Sequence, residues 1–240
     1  MKYLKHLLMC DTCIFESKIE NSNVGDVVSL PNIETLEGLP GIFLEADSLE
    51  KLSNLRRLRI SKISGEQILV MAGTARILEK LQELQLTSID MKKKKKDNED
   101  MDNEDMRLNM SHYDHLAKLH LQFLFSLQLR LKKVEFPPNL IDLTISNTFF
   151  CKDPMKVLKK LPRLEILRLE NCDYSLSITL DFSGANSFPV LQVLAIEQSA
   201  MREFPELIVD QTGMPMLDKF ICDNACLNVL ERLRNIMVKP

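Results

Sequence analysis

The residues best suited to chemistry in this 240-residue chain are its cysteines. Cys10 and Cys13 have the spacing of half a zinc site, and Cys222 and Cys226 could be offered as the other half. The two pairs lie at opposite ends of the chain, and no histidine pair accompanies them. We therefore interpret the cysteines as structural, reduced thiols of a cytosolic or nuclear protein.

Catalytic motifs are not indicated either. His112 and His115 are separated by two residues but lack the acidic residue of a metalloprotease motif. Seven glycines in the whole chain leave little from which to build a phosphate-binding loop, and no pairing of nucleophile and base stands out. The sequence predicts a protein without enzyme activity, without a metal and without a cofactor of its own.

Charge and hydropathy narrow the class of partner. A net charge of −3 and a pI of about 5.9 give no basic field that would favour nucleic acid or an anionic membrane. No apolar run approaches the length of a membrane span, and the apolar part of Met1–Cys13 is too short for a secretory signal. We expect a cytoplasmic protein, with the nucleus as the alternative, that is monomeric on its own and binds other proteins.

One apolar motif recurs through the chain, in which leucine accounts for 40 of 240 residues. The motif has the form Leu-x-x-Leu-x-Leu and is clearest from Leu140 and from Leu164. Nine copies begin at Leu4, Ile33, Leu55, Leu81, Leu116, Leu140, Leu164, Leu191 and Leu217. Their spacings run from 22 to 35 residues, and all but the longest fall within the period of leucine-rich repeats. The second copy is weak, because Gly38 stands where an apolar residue is expected.

Each motif predicts a short strand with its apolar residues on one face, followed by a return segment. One such unit cannot bury its apolar side alone, so neighbouring units must stack. We predict an α/β leucine-rich repeat solenoid (a horseshoe), with a curved parallel β-sheet on the concave face and short helices and irregular returns on the convex face. Residues 1–240 are expected to form a single domain of about nine repeats. Since neither end shows a polar cap, we expect the chain to be a fragment or truncated product.

The longest interval between motifs contains a charged insertion at about 91–107. Lys92–Lys96 is followed by an acidic half, so that the charges of the insertion cancel. A run of five lysines can act as a nuclear import signal or a nucleic-acid patch. The balanced charge favours a disordered, solvated loop instead.

Residues that alternate with the apolar strand positions are predicted to point onto the open concave surface, which solenoids use to bind macromolecules. The predicted partner-binding residues are Arg57, Arg59, Glu83, Gln85, Lys118, His120, Asp142, Thr144, Arg168, Glu170, Glu197, Lys219 and Asp223. Equivalent positions hold Ser61, Thr87, Gln122, Ser146, Ile166, Val193, Ala195 and Ile221. The charges change from basic in the early repeats to more acidic in the late ones.

Two stretches carry a resemblance to a known family. They read Phe136-Pro-Pro-Asn-Leu-Ile-Asp-Leu-Thr-Ile-Ser-Asn-Thr-Phe and Leu158-Lys-Lys-Leu-Pro-Arg-Leu-Glu-Ile-Leu-Arg-Leu. The sequence resembles the leucine-rich repeat region of plant disease resistance proteins of the coiled-coil NB-ARC class (NLR proteins). Asn54-Leu-Arg-Arg-Leu-Arg-Ile and Phe188-Pro-Val-Leu-Gln-Val-Leu fit the same pattern, so the resemblance covers nearly the whole chain.

The resemblance implies a non-enzymatic interaction module of an intracellular immune sensor. In that family the repeats hold a nucleotide-binding switch inactive and contribute to recognising a pathogen effector or a guarded host protein. The coiled coil and the NB-ARC motifs are missing here, so ADP or ATP would belong to a missing NB-ARC domain. Two alternatives stay open, namely the substrate-recognition part of a ubiquitin-ligase adaptor and a truncated NLR pseudogene product.

Overall fold

The computed structural model describes residues 3–9, 31–41, 49, 51–64, 67, 71, 73–74, 76–88, 108–122, 134–150, 153–175, 178–197, 205–210 and 212–222. The predicted insertion at 91–107 and the predicted partner-binding residue Asp223 lie outside these residues, as do Cys10, Cys13 and Cys226. The chain divides into two compact units, the first of Met1–Leu119 with Lys133–Pro137 and the second of His120–Lys132 with Pro138–Pro240. That residues 1–240 form a single domain stays a prediction.

Short β-strands make up almost all of the described secondary structure. They are β1 His6–Leu8, β2 Thr35–Pro40, β3 Arg57–Ile63, β4 Glu83–Ser88, β5 Leu108–Asn109, β6 Lys118–Gln122, β7 Val134–Glu135, β8 Asp142–Ser146, β9 Phe149–Phe150, β10 Ile166–Glu170, β11 Asp173–Tyr174, β12 Thr179–Asp181, β13 Val193–Glu197, β14 Glu206–Ile208 and β15 Lys219–Cys222. Nine of them, β1 to β4, β6, β8, β10, β13 and β15, coincide with the nine sequence motifs.

The motif strands pair in parallel and in chain order within each unit. In the first unit β1, β2, β3 and β4 are successive neighbours. In the second unit the order is β8, β10, β13 and β15. The registers match motif to motif, since Leu167 pairs with both Leu143 and Leu194. The predicted leucine-rich repeat solenoid is therefore confirmed.

A backbone hydrogen bond recurs between consecutive repeats. The carbonyl oxygen of the residue after the first motif position accepts the N–H groups of two residues in the next repeat. Glu34 O accepts from Arg56 and Arg57 at 2.8 and 3.0 Å, and Glu165 O accepts from Gln192 and Val193 at 2.8 and 3.0 Å. The carbonyls of Lys5, Arg56, Gln82, Ile141 and Gln192 do the same. This bond holds each strand to its neighbour at the same motif position.

The apolar side chains of the motifs pack on one face of these strands. Twelve residues of β3, β4, β6, β8, β10 and β13 are at most 2% exposed, namely Leu58, Ile60, Leu84, Leu86, Leu119, Leu121, Leu143, Ile145, Leu167, Leu169, Leu194 and Ile196. The equivalent residues of the first and last motifs, Leu7, Met9, Phe220 and Cys222, are partly exposed. Among the described strands, β1 and β15 each have a single neighbour, which accounts for the difference.

The described parts of the return segments contain both helix and short strands. Among the described helices one has complete bounds, Met155–Leu158, and Asp153 Oδ1 accepts the N–H of Met155 at 2.9 Å at its start. Other returns form two-stranded parallel ladders, in which β5 pairs with β7, β9 with β11, and β12 with β14. Their aromatic and β-branched residues favour extended backbone, and Phe150 stacks on Tyr174 at 5.5 Å between ring centroids.

The weak second motif is explained by a bulge at Gly38. Leu36 pairs with Leu58, but the residue that pairs with Ile60 is Leu39 and not residue 38. The next core position is therefore shifted by one residue along the strand. Leu39 is 2% exposed, so it replaces the apolar residue expected at 38. Gly38 has φ +77°, and a Cβ there would collide with the carbonyl oxygen of Met9. Glycine is therefore required by both backbone conformation and space.

Truncating one core leucine tests the solenoid. We expect Leu167→Ala to lower the free energy of unfolding by about 2–5 kcal/mol, because it leaves a cavity between two neighbouring strands. Leu8→Ala is the matched control, since the Leu8 side chain is 67% exposed. Chemical denaturation measures both, and a Leu167→Ala protein as stable as the parent would contradict the assignment.

The bulge at Gly38 predicts how substitution of this glycine changes stability. Gly38→Ala should destabilise the protein by about 1–2 kcal/mol from the left-handed backbone alone, and by more from the collision with Met9. Gly73→Ala is the control, because Gly73 is helical and an added Cβ would meet no atom within 4 Å. Helix propensity favours alanine there, so the control should unfold at the same or a higher denaturant concentration. Equal effects of both substitutions would rule out the bulge.

Candidate functional site

In each of the two units, the strand residues that alternate with the buried ones form a candidate functional site, and we call these residues together the open face. Because successive strand side chains point to opposite sides, these residues lie on the side away from the buried leucines. The open face comprises residues 35, 37, 57, 59, 61, 83, 85, 87, 118, 120, 122, 142, 144, 146, 166, 168, 170, 193, 195, 197, 219 and 221. All predicted partner-binding residues within the described part of the chain belong to it.

Ion pairs link the open-face residues of the first unit. Arg57 Nε lies 2.6 Å from Glu83 Oε2, and its Nη1 lies 3.7 Å from Glu37 Oε1. Lys118 Nζ lies 3.3 Å from Glu83 Oε1. The structure thus joins three predicted site residues, Arg57, Glu83 and Lys118, by ion pairs. Together with Glu37 they form a row that crosses the strands β2, β3, β4 and β6.

These contacts shift the pKa values of Arg57 and Glu83. Hydrogen bonding to Glu83 raises the pKa of Arg57. Burial raises the pKa of Glu83, but hydrogen bonds from Arg57 and Lys118 outweigh burial and bring its pKa below the usual 4.5. Both side chains are therefore charged at neutral pH, and their charges offset each other across the row.

In the second unit two contacts link open-face residues of neighbouring strands. Arg168 Nη1 lies 2.6 Å from Asp142 Oδ1, and His120 Nε2 lies 3.0 Å from Ser146 Oγ. Thr144 stands between Asp142 and Ser146 on the same strand and is 8% exposed. The sequence predicts an open position at Thr144, whereas the structure buries this side chain.

Exposure separates the other predicted residues into two groups. Arg59, Lys118, Glu197 and Lys219 are exposed, whereas Gln85, His120, Asp142, Arg168 and Glu170 are partly buried. Three neighbouring positions, Ser61, Ser146 and Ala195, are buried. The face therefore offers charged side chains separated by covered ones.

Glu37 is a site residue that the sequence analysis missed. It contacts Arg57 from the neighbouring strand. Its position four residues after Ile33 matches that of Arg59 after Leu55, so counting from the motif could have found it. The weakness of the second motif, caused by the Gly38 bulge, obscured this equivalence.

Two observations on the described residues concern metal binding and the reactivity of thiols. No group of three or more His, Cys, Asp or Glu within them could hold a metal ion. Burial raises the pKa of Cys172 to about 12, and its Sγ donates to the carbonyl oxygen of Ile145 at 3.4 Å. A thiol held in this way is protonated at neutral pH and unreactive. Within the same residues, no helix is long and apolar enough to cross a membrane.

The ion pairs of Glu83 predict how stability depends on pH. Because the pKa of Glu83 is lowered by folding, its contribution is present above the unfolded value near 4.5 and is lost as the pH falls through the lower folded value. We expect Glu83→Gln to cost about 0.2–1 kcal/mol at neutral pH and progressively less below pH 4.5. Urea denaturation across this range measures the difference.

Glu79→Gln provides the control, since Glu79 is an exposed carboxylate without an ion pair among the described residues. A cost of Glu83→Gln that stays constant with pH, or one matched by Glu79→Gln, would contradict the role of the ion pairs.

Comparisons with known proteins agree with this architecture. The family model described as a leucine-rich repeat region matches residues 4–235. The chain is 31% identical to "ToMV resistance protein Tm-2(GCR236)" of Solanum lycopersicum, over 98% of this chain and 26% of that protein. It is 30% identical to "Probable disease resistance protein RXW24L" of Arabidopsis thaliana, over 79% of this chain and 20% of that protein. The chain thus spans about a quarter of the length of the tomato relative.

One solved structure, "Crystal structure of TLR13-ssRNA13 complex", aligns with 92% of this chain and 36% of its own, at 17% identity and a TM-score of 0.39. The fold assignment rests instead on the strand registers and on the family match over residues 4–235. The chain therefore belongs to the leucine-rich repeat region family, in the form found in plant disease resistance proteins.

Proposed function

We propose that the chain is the non-enzymatic sensor and autoinhibitory repeat module of an intracellular plant immune receptor. The observation that carries this proposal is the open face, where side chains of varied charge stand on strands whose other face is committed to packing. The names of the tomato and Arabidopsis relatives refer to disease resistance, which supports a role in defence.

The mechanism we propose is a shift of a switch that belongs to the rest of the receptor. Its NB-ARC domain would bind the open face in the resting state, and a pathogen effector or guarded host protein would bind it in the active state. A difference in affinity between these two states is what moves such an equilibrium. ADP or ATP would bind the NB-ARC domain, and this chain would need no cofactor.

The electrostatics of the open face suit binding better than catalysis. General acid–base catalysis at neutral pH uses groups whose pKa lies near 7. Hydrogen bonds move the pKa of Arg57 upward and that of Glu83 downward, so both move away from neutrality. Fixed charges of this kind guide the approach and orientation of a protein partner.

The immune-receptor function is favoured over the ubiquitin-ligase adaptor by the disease resistance relatives. We place the module in the cytoplasm and expect it to act as a monomer within its receptor.

Charge reversal on the open face tests this proposal. We expect the double variant Arg57→Glu with Arg59→Glu to bind the NB-ARC domain of the parent receptor, expressed as a separate chain, about tenfold more weakly than the parent. Arg59→Glu alone should weaken binding while leaving the Arg57–Glu83 ion pair in place. Binding is measured by pull-down and titration.

The matched control reverses two exposed charges of the same unit away from the open face, Lys51→Glu with Arg76→Glu. It should bind like the parent, and thermal melting shows whether each variant is folded. Unchanged binding by the folded open-face variants would count against the proposal.

A further inference from the structure

The open face of the second unit carries an apolar patch, made of Ile166, Val193, Ala195 and Ile221. Ile166 pairs directly with Val193, and Ala195 pairs directly with Ile221. Val193 and Ala195 are two residues apart on β13 and therefore point the same way. Ala195 is 1% exposed, and the other three side chains are partly exposed. Ile166, Val193 and Ile221 thus supply the accessible aliphatic area, and Ala195, which pairs with Arg168 on its other side, adds almost none.

The core does not require this patch. The residues that fill the core from the same strands, Leu167, Leu194 and Ile196, point to the opposite face and are at most 1% exposed. Valine and isoleucine are favoured in strands because they are β-branched. Threonine is β-branched too, and it would satisfy the same backbone preference while leaving a polar surface. Aliphatic groups that are partly in water gain free energy only when another molecule covers them.

A pair of carboxylates borders the patch. Glu170 and Glu197 pair directly across β10 and β13, on the open face. Within the described residues, neither carboxylate has an ion-pair partner, although Glu83 has two and Asp142 has one. The nearest guanidinium on β10, that of Arg168, is bound to Asp142 at 2.6 Å. Like charges directly opposite each other are unfavourable in a sheet, so a cation placed between these two carboxylates would offset their charge.

The opposite border of the patch is basic. Lys219 pairs directly with Val193 and is exposed. Val193 and Glu197 are four residues apart on one strand, which corresponds to about 13 Å. The surface therefore presents a cation, an aliphatic centre and two carboxylates in a fixed order.

We propose that the apolar patch with Glu170 and Glu197 is a docking site for a protein segment with complementary chemistry. That segment carries an aliphatic or aromatic side chain to cover Val193 and Ile221, and a lysine or arginine to lie between the two carboxylates. An acidic residue of the partner faces Lys219. The proposal rests on the proposed function, in that the open face binds protein, and it specifies where the partner binds and with what chemistry.

Selection from a displayed library of random short peptides, with the whole chain as bait, tests this docking site. We expect the enriched peptides to combine an apolar residue with a lysine or arginine. Val193→Thr with Ile221→Thr, which keeps β-branched residues on the strands, should weaken binding of the selected peptides by about tenfold or more. Glu170→Lys with Glu197→Lys should do the same and should select acidic peptides instead. Glu79→Lys, which reverses an exposed carboxylate of the first unit away from the open face, is the matched control and should leave peptide binding unchanged.

Failure to enrich any peptide, enrichment of peptides without basic residues, or equal binding to the parent and the patch variants would each overturn the docking site. Peptides that lose affinity for the Arg59→Glu protein but not for the patch variants would overturn the docking site and leave the proposed function standing. The proposed function fails on its own test, loss of NB-ARC binding by the Arg57 and Arg59 variants.

The carboxylate pair gives a second readout that does not need a ligand. Glu197→Gln should raise the thermal midpoint of the free chain, because it removes repulsion from Glu170. A lowered midpoint would mean that Glu197 stabilises the fold, and it would overturn the assignment of the pair to a partner.

Discussion

The backbone hydrogen bond between consecutive repeats is the constraint on which the rest of this structure depends. In seven of the described repeats one carbonyl oxygen, such as that of Glu34 or Glu165, accepts two N–H groups of the next repeat. It sets the register of each strand against its neighbour. A slip of one residue would turn every leucine toward water and every charged residue toward the core. Burial of the leucines and the order of the open face therefore follow from one repeated contact.

The same register decides which charges meet. Arg57 is placed opposite Glu83, and the two neutralise each other at 2.6 Å. Glu170 is placed opposite Glu197, so that two like charges are paired. Since core packing fixes the register, it also decides which open-face side chains become neighbours. A row of opposite charges and a pair of like charges can thus arise on the same kind of scaffold.

Much of this fold could be predicted from the sequence, because the motif spacing defines the strands and the alternation within each motif defines its two faces. The returns could not be predicted equally well. Strands of two residues, such as Phe149–Phe150, are too short to show a period. The Gly38 bulge escaped prediction because it shifts the apolar position by one residue, to Leu39.

The candidate site was predictable in position but not in accessibility. Counting from each motif placed Arg57, Glu83 and Lys118 on one face, and the structure joins them by ion pairs. Thr144, by contrast, lies on the same face and is only 8% exposed. The exposure of a strand residue depends on side chains of neighbouring repeats, about 24 positions away in the sequence, and no local pattern encodes their direction.

The bulge at Gly38 also bears on how repeat proteins of this kind can diverge. Because Leu39 returns to the core register opposite Ile60, the extra residue is absorbed within one strand. A second extra residue lies in β3 between Ile60 and Ile63, where Lys62 has φ 56°. A gene of this kind could therefore gain or lose a codon inside a strand wherever the extra residue can adopt a left-handed backbone. The length of an open-face strand can then vary as well as its side chains, and such faces are best compared by counting outward from the buried leucines.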